Sequence, residues 1–483
     1  MGINTIKYML SAVLLFSTLT AFSIGQPRRH LLPRNIISQR AAKAQRAISY
    51  TGEKRQLVVL ASFSDLDFRE DNPLQIWDSI FNMPNFTKEP YYGSVHDYFY
   101  DQSNGKFNLS FDLYAIKVNN KYATYGSTRR DDANAALLIL ELADSLKNMV
   151  TEWTPYDWDE DGYIDQILVL YAGMGQNDGG DRNTIWPNQA SLTIYEQKPV
   201  TVSSNGKDFL IDKYCCVQEY GRTTYASFGT ICHEFGHCLN LPDIYYNTVS
   251  ILGDWDIMDH GNCAMNGYCP PCYSAHERML LGWIDIKELT EPTSITNMPA
   301  LSDEPVAYMI RNDNYPNEYY ILENRQKKSW DQSLPGSGLL IFHIDYDEEL
   351  WQQKIPNNYS DNHYAIIPAN NWSYTTFAND WAYPYGSKDS LTNNSTPAAT
   401  LRHAAKDGTK LMSKPITNIR VDNGLVSFDF MGGELASIRQ TETEEQISAV
   451  YDIHGRQIPV GSKTSGIYII RYKNGQTRKV VCR

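Results

Sequence analysis

No cysteine occurs in the first 214 of the 483 residues; seven of the eight then fall between Cys215 and Cys272, and the last is Cys482. A disulfide framework spread along the chain is therefore excluded, and cysteine chemistry is confined to one short stretch. Positive charge is also in short supply, with 43 Lys/Arg against 56 Asp/Glu and a net charge of -13. An acidic chain repels phosphate, so no nucleic-acid partner is expected. No repeat of 20–50 residues is found. A composition of 42% hydrophobic and 20% charged residues excludes a disordered, collagen-like or coiled-coil chain.

The basic residues that do occur are unevenly spread. Residues 1–55 hold nine Lys/Arg and one acid, a net of +8, which leaves -21 for the rest. Lys7 followed by an uncharged stretch over 8–27 reads as a secretory signal peptide over 1–25. That stretch is short and broken by Ser and Thr, which argues against an uncleaved membrane anchor. Residues 26–54 read as a basic pro-segment or linker; up to residue 52 they contain no Asp, Glu or Cys. The globular pattern starts at 55. Strands are predicted over 57–63 and 166–171, and helices over 94–102 and 131–149, an α/β texture. From 285 to 432 short β-type runs take over, among them 319–322, 339–344 and 425–430. A polar linker over 434–446 precedes strand candidates at 447–453, 467–472 and 477–481, the last two joined by the turn pair Asn474-Gly475.

The most informative stretch is His233-Glu234-Phe-Gly-His237, followed by Asn240, Pro242 and Asp243. Residues four apart share a helix face, so His233 and His237 can offer two imidazole nitrogens to one metal ion. Glu234 then stands beside the first ligand as a general base toward water. A catalytic zinc ion needs a third protein ligand and an open position. Asn240 can end the helix in a left-handed conformation and Pro242 prevents its resumption, so the chain can turn back and deliver Asp243. Glu277, in a helical-looking 273–281, is the rival third ligand.

With a turn residue three positions after the second His and an acid three further on, the chain resembles the metzincins. Its Leu-Pro-Asp ending resembles the immune inhibitor A family of secreted zinc metallopeptidases. Trp255-Asp-Ile-Met258-Asp-His260-Gly261 resembles that family's methionine turn, and similar stretches extend over roughly 55–430. The resemblance implies an α+β fold: a metzincin-like catalytic domain over 55–284, with a mixed sheet and an active-site helix, then a β-rich domain over 285–432. It implies protein or peptide substrates and a Zn2+ cofactor. One departure is Asn240, where the family usually has Gly. His260 occupies a place where some metzincins put a residue that stabilises the transition state; Tyr268 and Tyr273 are weaker candidates. Latency through a pro-region Cys or Asp, used by some metzincins, finds no support in 26–52.

A second metal signal is Asp157-x-Asp159-x-Asp161-Gly162-Tyr163-x-Asp165. Carboxylates at positions 1, 3, 5 and 9 of a calcium loop, with the Tyr163 carbonyl at position 7, predict a structural Ca2+. The closing Glu is missing, since Leu168 stands there, so the loop is not a complete EF-hand. Asp65 and Asp67 are candidates for another ion. Disulfides are expected among the clustered cysteines, with Cys232 and Cys238 bridging to the 263–272 loop; buried thiols and a second zinc on Cys269-x-x-Cys272 are the alternatives. Residues 433–483 resemble a linker and the C-terminal sorting domain of type IX secretion. This implies the type IX machinery as a partner, release from or attachment to the outer surface of a Gram-negative bacterium, and no transmembrane anchor after signal cleavage. The competing function class is a catalytically silent, calcium-stabilised adhesin that binds glycans or protein. A zinc amidase or mucin-directed peptidase would differ only in substrate.

Overall fold

Residues 57–61, Leu-Val-Val-Leu-Ala, form an unbroken apolar run, the pattern of a strand covered on both faces. In the computed structural model they lie inside the strand Gly52–Ser62, next to the centre of a five-stranded sheet. The structure describes residues 48–126, 134–222, 227–247, 249–358, 361–433, 447–460, 465–473 and 475–482. The predicted leader, most of the pro-segment, the 434–446 linker and Asn474 lie outside them.

From one edge to the other the sheet runs Phe107–Lys117, Gly52–Ser62, Ile167–Met174, Lys213–Tyr220 and Asn188–Ser191. The first four strands are parallel and the last is antiparallel. Alternate residues feed two cores, because successive side chains of a strand point to opposite faces. Leu57, Val59, Val169 and Cys216 join the helix Ala135–Leu146 on one face through Leu138, Ile139 and Leu142. Val58, Leu60, Leu170 and Cys215 face the helices Pro73–Asn82, Val95–Gln102 and Phe228–Cys238 on the other. Each such buried aliphatic or aromatic side chain contributes roughly 1.5–3 kcal/mol. The predicted helix over 94–102 forms with Ser94 as its N-cap, in a reciprocal capping box with Asp97.

The region after residue 284 builds a second five-stranded sheet in the order Tyr364–Ile366, Gly338–Asp345, Glu318–Arg325, Ala307–Arg311, Lys287–Glu288. Its strands also split their residues by face. Tyr320, Leu322, Leu339 and Ile341 pack toward the three-stranded sheet of Thr293–Met298, Leu425–Phe430 and Ile416–Asp422. Ile321, Leu340, Phe342 and Tyr364 instead join the same core as Phe228 and Phe235 of the Phe228–Cys238 helix. Trp330 stacks on Phe228 with ring centroids 5.8 Å apart and planes within 6°. One hydrophobic core thus runs from the first sheet, through that helix, into the second. The tail forms a separate antiparallel four-stranded sheet in the order Gln457–Ile458, Ile447–Asp452, Gly466–Tyr472, Thr477–Cys482.

Among the described residues the expected disulfides are not formed: Cys215, Cys232, Cys238, Cys269 and Cys272 are thiols. The reason is packing. Cys215 and Cys216 point to opposite faces of their strand, Cys215 meets Cys238 as a hydrogen-bonded thiol pair, and Cys232, Cys269 and Cys272 are buried in the same core, where a thiol behaves as a small apolar group. No group of cysteines is arranged to hold a metal among the described residues. No helix of the described residues is long and apolar enough to cross a membrane.

Candidate metal centre

The helix Phe228–Cys238 is buried along its whole length, and two glycines let it pack closely. A Cβ at Gly229 would fall 1.9 Å from the Asn262 carbonyl oxygen, and one at Gly236 would fall 2.7 Å from Met258 Sδ. Met258 therefore sits directly beneath the turn that separates the two histidines. Tyr273, also under the helix, donates its hydroxyl to the Cys232 carbonyl at 3.0 Å.

The helix ends as the sequence suggests. Asn240 is left-handed, at φ +68, with Leu241 N donating to Gly236 O at 3.1 Å and Asn240 N to His237 O at 3.0 Å. This is the double hydrogen bond of a helix end normally closed by glycine. Asn serves because it is among the few residues that tolerate this conformation, and its Nδ2 donates to Tyr50 Oη at 2.6 Å. The chain then folds back and brings Asp243 to the histidines.

His233, His237 and Asp243 offer ligand atoms that lie within 4.8 Å of one another. Asp243 Oδ1 is 3.3 Å from His233 Nε2 and 3.2 Å from His237 Nε2. Ligands about 2.0–2.1 Å from a tetrahedral ion stand about 3.3–3.4 Å apart, so the spacing fits zinc. The tautomers fit as well. His233 Nδ1 donates to Ile257 O at 2.7 Å and His237 Nδ1 to Leu241 O at 2.8 Å. A carbonyl can only accept, so each Nδ1 carries a proton, which leaves each Nε2 as the nitrogen turned toward the shared centre. His233 Nε2 is buried without a hydrogen-bond partner, as are both carboxylate oxygens of Glu234.

Burial pushes the Glu234 carboxyl up to about 8. Burial alone would lower His233, but Asp243 and Glu234 carry it up to about 9, while His237 is held below its ordinary value by burial. Asp243 goes the other way: against the cost of burial, the two imidazoles hold its carboxyl far below the usual range. Lys354 stands close by. Its Nζ donates to His237 O at 3.1 Å and to Gln189 Oε1, on the edge strand, at 2.6 Å, and burial pushes it down to about 8.

Glu277 is not in this cluster. It closes a capping box with Ser274, accepting from Ser274 N at 2.8 Å and Ser274 Oγ at 2.9 Å, and is hydrogen-bonded to Asp256. Asp256 in turn accepts Met258 N at 2.7 Å, so the rival ligand buttresses the methionine turn from below. His260 lies outside the three-ligand group, with Nδ1 2.6 Å from Asp254 Oδ1, a hydrogen bond that raises its pKa. Tyr273 is buried under the helix, and Tyr268 meets Tyr91 edge-on at 4.9 Å.

In the calcium-like loop, Asp157, Asp159 and Asp161 form a second convergent group. Asp161 N donates to Asp157 Oδ1 at 3.0 Å and Gly162 N to Asp157 Oδ2 at 3.2 Å, which curls the loop around its carboxylates. Asp165 is not in that group. Its Oδ2 accepts Trp158 N at 2.5 Å, and burial raises it to about 7. Tyr163 pairs with Leu210 in a short parallel ladder. Lys207 Nζ lies 3.2 Å from Asp157 Oδ2, a protein cation already at the loop. Asp65 caps the Tyr122 amide at 2.9 Å and Asp67 pairs with Lys117 at 2.8 Å.

Two buried histidines and one aspartate form a group that could hold a metal ion, with the unpartnered Glu234 beside it. Residues 53–278 match the model of the immune inhibitor A peptidase M6 catalytic domain. The chain is 24% identical over 230 residues to the pre-pro-metalloprotease PrtV of Vibrio cholerae serotype O1, covering 41% of this chain and 25% of that one. It is 24% identical over 286 residues to immune inhibitor A of Bacillus thuringiensis subsp. alesti, covering 48% and 40%. The chain thus spans well under half the length of these curated relatives. A crystal structure of OgpA from Akkermansia muciniphila aligns with 59% of this chain and 74% of its own at 14% identity, with a TM-score of 0.27, too low to establish a shared fold.

Proposed function

We propose that the chain is an exported zinc metalloendopeptidase, with His233, His237 and Asp243 as zinc ligands and Glu234 as general base and acid. The observation that carries this is the convergence of three ligand atoms within 4.8 Å of one another, the carboxylate oxygen 3.2–3.3 Å from each imidazole nitrogen, beside a buried, unpartnered carboxyl. Zinc held there would supply a Lewis acid for the scissile carbonyl and a water of lowered pKa. Glu234 takes the proton of the attacking water and hands it to the leaving amine; its raised affinity for protons suits both halves of that transfer. Met258 and the Asp256–Glu277 pair keep the helix and its histidines fixed from below.

The loop at Asp157, Asp159, Asp161, Tyr163 and Asp165 is read as a structural calcium site at the entry to the strand Ile167–Met174. Export is supported by the leader-like 1–25 and by the resemblance of the tail to a sorting domain; the pre-pro form named for the V. cholerae relative is in keeping with a leader and a pro-segment. His260 is a candidate donor to the transition state, oriented by Asp254. A silent adhesin would have no use for a buried, unpartnered Glu234.

Cleavage of a denatured protein by zinc-loaded enzyme is the direct test. Glu234→Gln should lower kcat by roughly 10²–10⁴-fold while zinc stays bound, and a chelator should abolish the activity. Cleavage unchanged in the variant would overturn the mechanism.

A further inference from the structure

Residues 347–358 and 361–364 follow the second-sheet strand Gly338–Asp345 and reach the 237–244 turn through Lys354 and Asn357. They start with the short helix Glu348–Gln352, capped by Asp347, whose Oδ1 accepts Leu350 N at 3.0 Å. The helix closes at Lys354, which is left-handed at φ +58; Lys354 N donates to Trp351 O and Ile355 N to Leu350 O, both at 2.9 Å. This is the helix end that glycine fills with least strain. A lysine there is strained by its Cβ, and such strain persists where the surroundings use the residue. The side chain is used: Nζ reaches the His237 carbonyl at 3.1 Å and Gln189 Oε1 at 2.6 Å.

Three residues on, Asn357 is fully buried. Its Nδ2 donates to Ile244 O and Tyr364 O, each at 2.8 Å, and its Oδ1 accepts Tyr364 N at 2.9 Å. The hairpin is tied to the second sheet from behind, where Arg402 bonds Asp345 at 2.8 Å and Asp361 at 2.5 Å. His237 and Ile244 mark the two ends of the turn that returns Asp243 to the histidines. Each presents its carbonyl to one of these two side chains.

From this we infer that Lys354 and Asn357 are positioning residues of the metal centre: they grip the turn 237–244 at both ends, so that Asp243 meets His233 and His237 at ligand spacing. The inference rests on the zinc-peptidase reading and extends it to a region of the chain beyond the matched peptidase segment. Each side chain bonds a backbone carbonyl of that turn, His237 O for Lys354 and Ile244 O for Asn357, and the Lys354 charge also acts on Glu234 and Asp243.

The test uses the full chain with Lys354→Gly, Lys354→Met and Asn357→Asp. Zinc affinity is measured by competition with a chromophoric chelator, coordination by the visible spectrum of the cobalt(II) form, and turnover on denatured casein. Thermal unfolding of the metal-free proteins is the control for folding. Loss of a partner that orients a ligand lowers metal affinity by roughly 10–100-fold. That loss is expected here, with an altered cobalt spectrum and a fall in kcat that exceeds any change in KM. Metal-free Lys354→Gly should melt no lower than wild type, because glycine relaxes the left-handed turn. Unchanged zinc affinity and cobalt spectrum in the variants would overturn the inference. So would a loss of affinity matched by a drop in metal-free melting temperature in all three. Wild-type protein that takes up no zinc would instead overturn the underlying reading, a failure visible before any variant is compared.

Discussion

Replacing Gly236 by alanine should destabilise the protein, although the same change in most helices stabilises. Glycine inside a helix costs roughly 0.5–1 kcal/mol relative to alanine. Here the added Cβ would meet Met258 Sδ at 2.7 Å, Tyr273 Oη at 3.0 Å and Met258 Cε at 3.3 Å, all closer than ordinary contact. Met258 and Tyr273 are both completely buried, so they have nowhere to retreat without moving the helix or the methionine turn. Overpacking of this kind costs about 1–3 kcal/mol. The net expectation is a loss of about 1–2 kcal/mol in urea unfolding followed by tryptophan fluorescence, together with weaker zinc binding as both histidines shift. A double-mutant cycle isolates the cause. Met258→Ala alone should cost about 2–5 kcal/mol through its cavity. In the Gly236→Ala background the new methyl occupies part of that space, so the two changes should couple by about 1–3 kcal/mol. A stabilising Gly236→Ala, or a pair additive within about 0.5 kcal/mol, would refute the claim that Met258 packs against this glycine.

Asp256 should set part of the pH dependence of stability. Burial and the neighbouring Glu277 raise its folded pKa, so the unfolded chain releases this proton first and stability falls as pH climbs above the ordinary value of about 4. Asp256→Asn retains a neutral donor and the acceptor for Met258 N, and its melting temperature should decline less than that of wild type between pH 5 and 8. Calcium at one hundred times its dissociation constant should stabilise the fold by about 2.7 kcal/mol in calorimetry, and Asp159→Asn with Asp161→Asn should remove that increment. Arg325 is completely buried between Glu323 and Asp331, at 3.0 and 2.7 Å. Arg325→Met leaves two buried carboxylates without their counterion and should cost about 3–5 kcal/mol in denaturant unfolding.

Local signals were the legible ones. The apolar run at 57–63, the helix over 94–102, the four-residue spacing of His233 and His237 and the turn residue Asn240 each state their structure within a few positions, and each is found in the fold. Glu277 illustrates the limit. A carboxylate on a helix reads alike as a zinc ligand or as a capping residue until the position of Ser274 and Asp256 is known. The cysteines mislead for a related reason: clustering in sequence suggested bridges, while strand alternation sends Cys215 and Cys216 to opposite cores. Lys354 and Asn357 were invisible, because they lie more than one hundred residues from the turn they hold and belong to no motif. Their role follows from tertiary placement alone.

The core that joins Phe228 and Phe235 to Ile321, Trp330, Phe342 and Tyr364 separates two kinds of boundary. Similarity to the peptidase model stops at residue 278, yet the unit that folds does not. A chain ended there would strip aromatic cover from the helix that carries both histidines and expose the apolar face it now hides. The matched segment and the β-rich region therefore share one hydrophobic core, with aromatic residues of the second covering the helix of the first.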